Sequence, residues 1–120
     1  MSAAIDSADI IIGDNQDPKN PHTGANVTAV NRRDGSLHWI TKVDTHPAAI
    51  ITGSPLILGN VIYVGVSSNE EALTTNASYP CCSFRGSFVA LDAITGRMLW
   101  QTFVMPDNQG SPGGYSGGAI

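Results

Sequence analysis

"VALDAITGRMLW", residues 89–100, sets down a short alternating run, a turn marked by Asp92, Thr95 and Gly96, and a second run ending on Trp100. The same pattern stands earlier in the chain as "TAVNRRDGSLHW", residues 28–39. The two align without a gap: Ala29 with Ala90, Asn31 with Asp92, Gly35 with Gly96 and Trp39 with Trp100, each pair 61 residues apart. The preceding stretches are alike too, "ADIIIGDN" before the first copy and "VIYVGVSS" before the second. The residue types have a common physical logic. An alanine is small enough to lie under an indole, and Asp92 can accept hydrogen bonds from the turn that follows. Gly96 permits a positive φ and presents a bare peptide face. A tryptophan can cover such a face in the neighbouring unit, and its burial is worth on the order of a few kcal/mol. Two ungapped copies favour a lock between successive units over a chance hairpin with a core tryptophan.

Working outward, helical periodicity is almost absent. Short β-branched and aromatic runs recur instead, among them "ADIIIG", "NVTAVN", "VIYVGV" and "SFVALD", separated by Gly, Asn, Asp and Pro clusters. That alternation predicts an all-β protein of antiparallel meanders. "LILGNVIYVGV" reads as two strands joined by a tight Gly59-Asn60 turn. Four-stranded units repeated at this scale predict propeller blades. The spacing exceeds the ~40–50 residues usual for a blade, and the excess sits in one insertion, "SNEEALTTNASYPCCSFR", between the second and third strands of the second unit. The expectation is a single partial β-propeller domain over 1–120, with blade one at about 8–44, blade two at about 48–105 and a glycine-rich tail at 106–120.

Composition narrows the partners. Charged residues make up 13% of the chain, against ~25% in ordinary soluble domains. A surface so poor in charge is expected to be covered in part by another chain or by further sequence. The net charge of −4 and the absence of a basic run make nucleic acid and anionic membranes poor partners. No stretch is long and apolar enough to suggest a membrane helix, and "MSAAIDSADIII" lacks the form of a signal peptide. The cytoplasm is therefore the default expectation for the chain as written.

The insertion holds the only two cysteines, adjacent in "YPCCSFRG", residues 79–86. Consecutive Cα atoms lie about 3.8 Å apart, below the ~4.4–6.8 Å usual for disulfides. A bridge between Cys81 and Cys82 would close a strained eight-membered ring that is compact, polarisable and easily reduced. The alternatives are two free thiols or half of a metal site. Zinc thiolate sites use spaced pairs, and His22, His38 and His46 show no ligand spacing. Arg85 would supply a fixed cation suited to carbonyl or carboxylate oxygens. Its plainer role is a surface arginine, paired with Glu70 or Glu71. Those two glutamates could act as general bases, but a solvated loop is the better expectation for them. Asn26-Val-Thr28 and Asn76-Ala-Ser78 match glycosylation sequons to which no role is given.

"ALDAITGRMLW" fits Ala-x-Asp-x-x-Thr-Gly-x-x-x-Trp, and "AVNRRDGSLHW" fits it with Asn31 for the aspartate and Asp34 where the threonine stands. The pattern resembles the tryptophan-docking motif of the quinoprotein alcohol dehydrogenases. Non-catalytic propellers of the outer-membrane assembly type use similar repeats, and the cysteine pair followed by Arg-Gly is the more specific mark. "YPCCSFRGSFVALDAITGRMLWQT" with "GGYSGGAI" is most similar to the polyvinyl-alcohol dehydrogenase branch, and the resemblance runs from Asp9 to Ile120. It implies an eight-bladed propeller holding pyrroloquinoline quinone (PQQ) on its axis, of which this chain is about two blades. It also implies a vicinal disulfide of Cys81 and Cys82 packed on the quinone and Arg85 hydrogen-bonded to it, although the spacing from the cysteines is shorter than in the methanol-oxidising branch. In "GGYSGGA", Ser116 and Gly117 would approach the cofactor, the alternative being a flexible tail. The family's catalytic aspartate and most of its calcium ligands come from later blades. No position here matches them, so calcium is expected only if other blades are supplied, and an isolated monomeric dehydrogenase is not expected. Full-length relatives are expected to be periplasmic or secreted. Two readings follow: a piece or relative of a PQQ-dependent alcohol dehydrogenase that keeps part of the quinone pocket, or a non-catalytic blade module for assembly or protein binding. Either would expose apolar blade faces and edge strands, which predicts a homo-oligomer; four two-blade copies would close one ring of eight blades.

Overall fold

The computed structural model describes residues 3–15, 24–70, 75–78 and 83–107. These residues form two antiparallel sheets. The first is β1 (Ala4–Ile5), β2 (Asp9–Gly13), β3 (Asn26–Asn31) and β4 (Leu37–Lys42), in that order. The second contains β5 (Ala49–Ile50), β6 (Leu56–Leu58), β7 (Val61–Ser68), β8 (Ser87–Asp92) and β9 (Met98–Phe103). Both β5 and β6 pair with β7 but at its opposite ends, Ala49 facing Ser68 and Leu58 facing Val61. They are two halves of one inner strand, interrupted around Gly53-Ser54-Pro55, where the proline has no N–H to give to a ladder. Each sheet is thus a four-stranded meander, and the all-β expectation holds. The first sheet also takes in β1, ahead of the expected start near residue 8. The tight turn at Gly59-Asn60 forms as read, with Gly59 at φ 60°.

The internal repeat is reproduced bond for bond. Ala29 faces Trp39 across β3 and β4, Ala90 faces Trp100 across β8 and β9, and a register shift follows each alanine. The Gly35 amide donates to the Asn31 carbonyl and the Gly96 amide to the Asp92 carbonyl, both at 2.8 Å. Asn31 and Asp92 donate in turn to the carbonyls of Ser36 and Arg97, again both at 2.8 Å. Asp92 Oδ1 accepts the amides of Ile94 and Thr95. In the first copy Asn31 Oδ1 accepts the Arg33 amide, the counterpart of Ile94, and Asp34, standing where the threonine would be, accepts the Ser36 amide as Thr95 Oγ1 accepts that of Arg97. The turn needs side-chain acceptors at these points, and either residue type supplies one.

Strand alternation then decides what is buried. Ile11, Val27, Ala29 and Trp39 project from the first sheet onto Ile62, Val64, Val89 and Leu91 of the second, and all are buried. A methyl group on Gly13 would run into the side chain of Ile51, and the Ile51 amide donates to the Asp14 carbonyl. A second close join is at the second turn. Gly96 has φ 77°, and a Cβ placed there would fall 2.5 Å from two ring carbons of Trp39 and 2.9 Å from Thr41 Oγ1. The indole thus lies against a glycine peptide with no side chain between them. Trp39 Nε1 donates to the Ala93 carbonyl at 3.1 Å, and Thr41 Oγ1 donates to the Gly96 carbonyl at 2.6 Å. Their counterparts are open: Trp100 is 46% exposed beside Tyr63, and a Cβ at Gly35 would meet no described atom within 4 Å.

Candidate functional site

Among the described residues, the insertion between β7 and β8 returns to the sheets at Ser83-Phe84-Arg85. It lands beside the linker from β4 to β5, and the two segments border a cleft of about 350 Å³. Lys42, Asp44 and His46 line it from the linker side, Ser83 and Arg85 from the insertion, and Met98, Gln101 and Phe103 form its floor on β9. The cleft therefore combines cationic groups, a hydroxyl and the Asp44 carboxylate with an apolar wall.

Arg85 is the one predicted cofactor residue among those described. Its Nε and Nη2 donate to the Met105 carbonyl at 3.3 and 2.9 Å, and its guanidinium lies 4.1 Å above the Phe103 ring. Stacking and a carbonyl anchor hold the cation at the cleft wall, an arrangement that suits a planar guanidinium with its fork of donors. Cys81, Cys82, Ser116 and Gly117 lie outside the described residues, as do Glu71 and His22.

Glu70 departs from expectation. It is buried, not solvated. Its Oε2 accepts the Ser83 amide at 3.1 Å and its Oε1 the Phe84 amide at 2.9 Å. A carboxylate accepting two amides is a strong local anchor, and it fastens the segment that directly follows Cys82. This places Glu70 as a structural tie for the loop, with its oxygens turned toward the backbone.

Sequence reasoning also missed the pairing of His46 with Ser83. The Ala48 amide donates to His46 Nδ1 at 3.0 Å, so in the neutral ring that nitrogen is the acceptor and the proton sits on Nε2. Nε2 then donates to Ser83 Oγ at 2.8 Å. The histidine is thus oriented to give a hydrogen bond to the serine, the reverse of a base activating a nucleophile. The ring is braced edge-on against Phe84, with centroids 5.4 Å apart. His38 is elsewhere, paired with the buried Asp9 at 2.8 Å, and no group of three metal-ligating side chains occurs among the described residues.

The donor set suits a flat, acidic, oxygen-rich molecule: a stacked guanidinium, a serine hydroxyl free of any role as nucleophile, and apolar side chains for the rings. PQQ, with carboxylates and quinone carbonyls on a fused ring system, has that chemistry, so the residues present fit it.

Comparison with known proteins agrees. The PQQ_2 family model, described as outer membrane protein assembly factor BamB, matches residues 20–114. A polyvinylalcohol dehydrogenase from Pseudomonas sp is 41% identical over 75 residues, covering 62% of this chain and 12% of that protein. One from Sphingopyxis sp. (strain 113P3) is 43% identical over 75 residues, with the same coverage. Lupanine 17-hydroxylase [cytochrome c] from Pseudomonas sp is 32% identical over 85 residues, covering 70% of this chain and 11% of that enzyme. Among solved structures, a europium-containing methanol dehydrogenase superposes with a TM-score of 0.64 at 22% identity over 90% of this chain and 16% of its own. The quinohemoprotein alcohol dehydrogenase of Comamonas testosteroni gives 0.63 at 18% identity over 92% and 14%. These structures establish the fold as two blades of a quinoprotein-type propeller. The chain spans 12% of the length of the two polyvinylalcohol dehydrogenases it matches. It belongs to the PQQ-repeat family defined by that model.

Proposed function

We propose that this chain forms two blades of a PQQ-dependent alcohol dehydrogenase and supplies one wall of its quinone site, with alcohols such as polyvinyl alcohol as substrates of the whole enzyme. The observation that carries this reading is the stacked Arg85 at the cleft wall, three residues after the adjacent cysteines. It stands in a chain 41% identical to a polyvinylalcohol dehydrogenase over 75 residues. When bound, the quinone accepts the electrons of alcohol oxidation. This chain's own contribution is to bind and orient it. Arg85 would hold oxygens of the acidic ring system, and Ser83 would offer a further hydroxyl. Cys81 and Cys82, joined as a vicinal disulfide, would lie as a flat lid on the ring, with Glu70 fixing the backbone that follows them. Ser116 and Gly117 would approach the same group. The tryptophans are proposed as docking residues between blades, on the model of Trp39 against Gly96. The reading assigns no base and no calcium ligand to this chain; both would come from other blades.

The test is titration with PQQ, with and without calcium, followed by tryptophan quenching and thermal shift. Saturable binding is expected. Loss of a charge-assisted contact in Arg85→Ala weakens it by at least about tenfold, and Cys81→Ser weakens it as well. Absence of saturable binding would overturn the reading in favour of a non-catalytic blade module for assembly or protein binding. That second reading draws on the family model's own description, an outer membrane assembly factor, over 20–114.

A further inference from the structure

We propose that His46 is a positioning residue for the cleft: it commits the Ser83 hydroxyl to donating a hydrogen bond to an oxygen of the bound quinone. The assignment rests on the function proposed above, and it adds the residue that fixes the polarity of one contact. A serine hydroxyl has one proton to give and lone pairs to accept with, and it rotates to suit its partner. Left to itself on a cleft wall, it takes a donor or an acceptor alike. What decides its role is the partner it already has.

That partner is held from several directions. The His46 amide donates to Asp44 Oδ1 at 2.8 Å, and the His46 carbonyl accepts the Ala49 amide at 3.0 Å. The ring stands edge-on to Phe84, and its Nδ1 accepts the Ala48 amide at 3.0 Å. A backbone N–H can only donate, so in the neutral ring Nδ1 is bare and Nε2 carries the proton. Nε2 lies 2.8 Å from Ser83 Oγ and donates to it. Ser83 is fixed from the other side, its amide on Glu70 Oε2 at 3.1 Å and the next amide, that of Phe84, on Oε1 at 2.9 Å. With one lone pair taken by the imidazole, Ser83 keeps its own proton to give. A hydroxyl that accepts one hydrogen bond is also polarised into a better donor of the next. Arg85, a donor only, lines the same cleft, so the two side chains agree in polarity. The ligand they select offers acceptors, carboxylate or carbonyl oxygens, in preference to hydroxyl protons. Asp44, the acidic group of the lining, has Oδ1 turned to the His46 amide.

The first test needs no ligand. Long-range proton–nitrogen NMR correlations of the imidazole, recorded on the full chain in mildly alkaline solution, should show a proton on Nε2 and a bare Nδ1. Ser83→Ala should shift the Nε2 resonance and spare Nδ1. A proton on Nδ1 would overturn the proposal, because His46 would then accept from Ser83 and turn its proton away from the ligand. The second test titrates the variants with PQQ. Ser83→Ala should weaken binding about three- to tenfold, as for the loss of one directed hydrogen bond. His46→Asn keeps an acceptor near the Nδ1 position for the Ala48 amide but has no donor that reaches Ser83, and should weaken binding to the same degree. His46→Gln brings an amide nitrogen to where Nε2 stands and should restore most of the affinity. Ser83→Ala combined with His46→Asn should bind no more weakly than either change alone, since the second removes a contact already lost. Additive losses, or equal losses in the Asn and Gln variants, would overturn the proposal and make His46 a brace of the linker. PQQ binding that depends on Arg85 and ignores His46 would overturn this assignment alone. Absence of binding by the unsubstituted chain would overturn the quinone site together with it.

Discussion

Replacing Gly96 and Gly35, one at a time, by alanine separates the cost of a turn from the cost of a contact between blades. The two glycines occupy the same turn with φ 77° and 75°. An alanine in that left-handed region costs about 1–2 kcal/mol in either place. They differ in what the new methyl meets. At Gly35 it meets no described atom within 4 Å, while at Gly96 it arrives 2.5 Å from the Trp39 ring and 2.9 Å from Thr41 Oγ1. Those atoms are a rigid indole and a hydroxyl fixed by its bond to the Gly96 carbonyl, so the indole must move away. Overpacking of this kind costs about 1–3 kcal/mol, and displacing Trp39 also strains its bond to the Ala93 carbonyl. The expected outcome is that Gly35→Ala loses about 1–2 kcal/mol and Gly96→Ala about 1–3 kcal/mol more. Urea unfolding followed by far-UV circular dichroism and tryptophan fluorescence measures both, in dilute solution so that self-association does not enter. Equal losses at the two positions would refute the claim that Trp39 on Gly96 joins the sheets.

Other perturbations probe separate parts of the account. Trp39→Ala should cost about 3–5 kcal/mol, as for other buried tryptophans, and Trp100→Ala far less in the monomer; comparable losses would contradict the asymmetry of the two faces. Glu70→Ala strands the amides of Ser83 and Phe84, at about 1–3 kcal/mol for the buried Phe84 donor and less for the part-buried one of Ser83, and should speed their hydrogen exchange ahead of the strands. Unchanged exchange there would show that the carboxylate is not the anchor. The Ile94 and Thr95 amides hold the Asp92 carboxyl below its ordinary value of 3.8. Because the folded value is the lower one, the unfolded chain binds the proton first. The contribution is present above the ordinary aspartate value and is lost as the pH falls through the lowered folded value. Asp34, held low by the Ser36 amide, behaves alike. Asp92→Asn keeps an acceptor, as Asn31 does in the first copy, so acid unfolding curves should flatten in that range with little change near neutrality. An unaltered acid slope would count against the assignment.

The repeat was legible because its residues carry backbone constraints. A positive φ asks for Gly35 and Gly96, and a turn that must satisfy its own amides asks for Asn31, Asp34 and Asp92. Such demands are local and leave a mark in the order of residue types. Alternation likewise revealed β3, β7 and β8, whereas β1, two residues long, has no pattern to show. The site was less readable because its contacts are distant or made to the backbone. Glu70 looked solvated, and what buries it is a loop that returns 13 residues later. His46 and Ser83 meet across 37 residues, with no motif linking them. Arg85 drew notice only through the cysteines before it, and its partner, the Met105 carbonyl, could belong to any residue type.

The central claim, that the cleft beside Arg85 receives the quinone, is tested most directly by titrating the isotopically labelled chain with PQQ and following its amide resonances. The account predicts saturable shifts centred on His46, Ser83, Phe84 and Arg85, which Arg85→Ala diminishes. Shifts centred on the turns at Asn31–Gly35 or Asp92–Gly96, or no saturable shift at all, would contradict it.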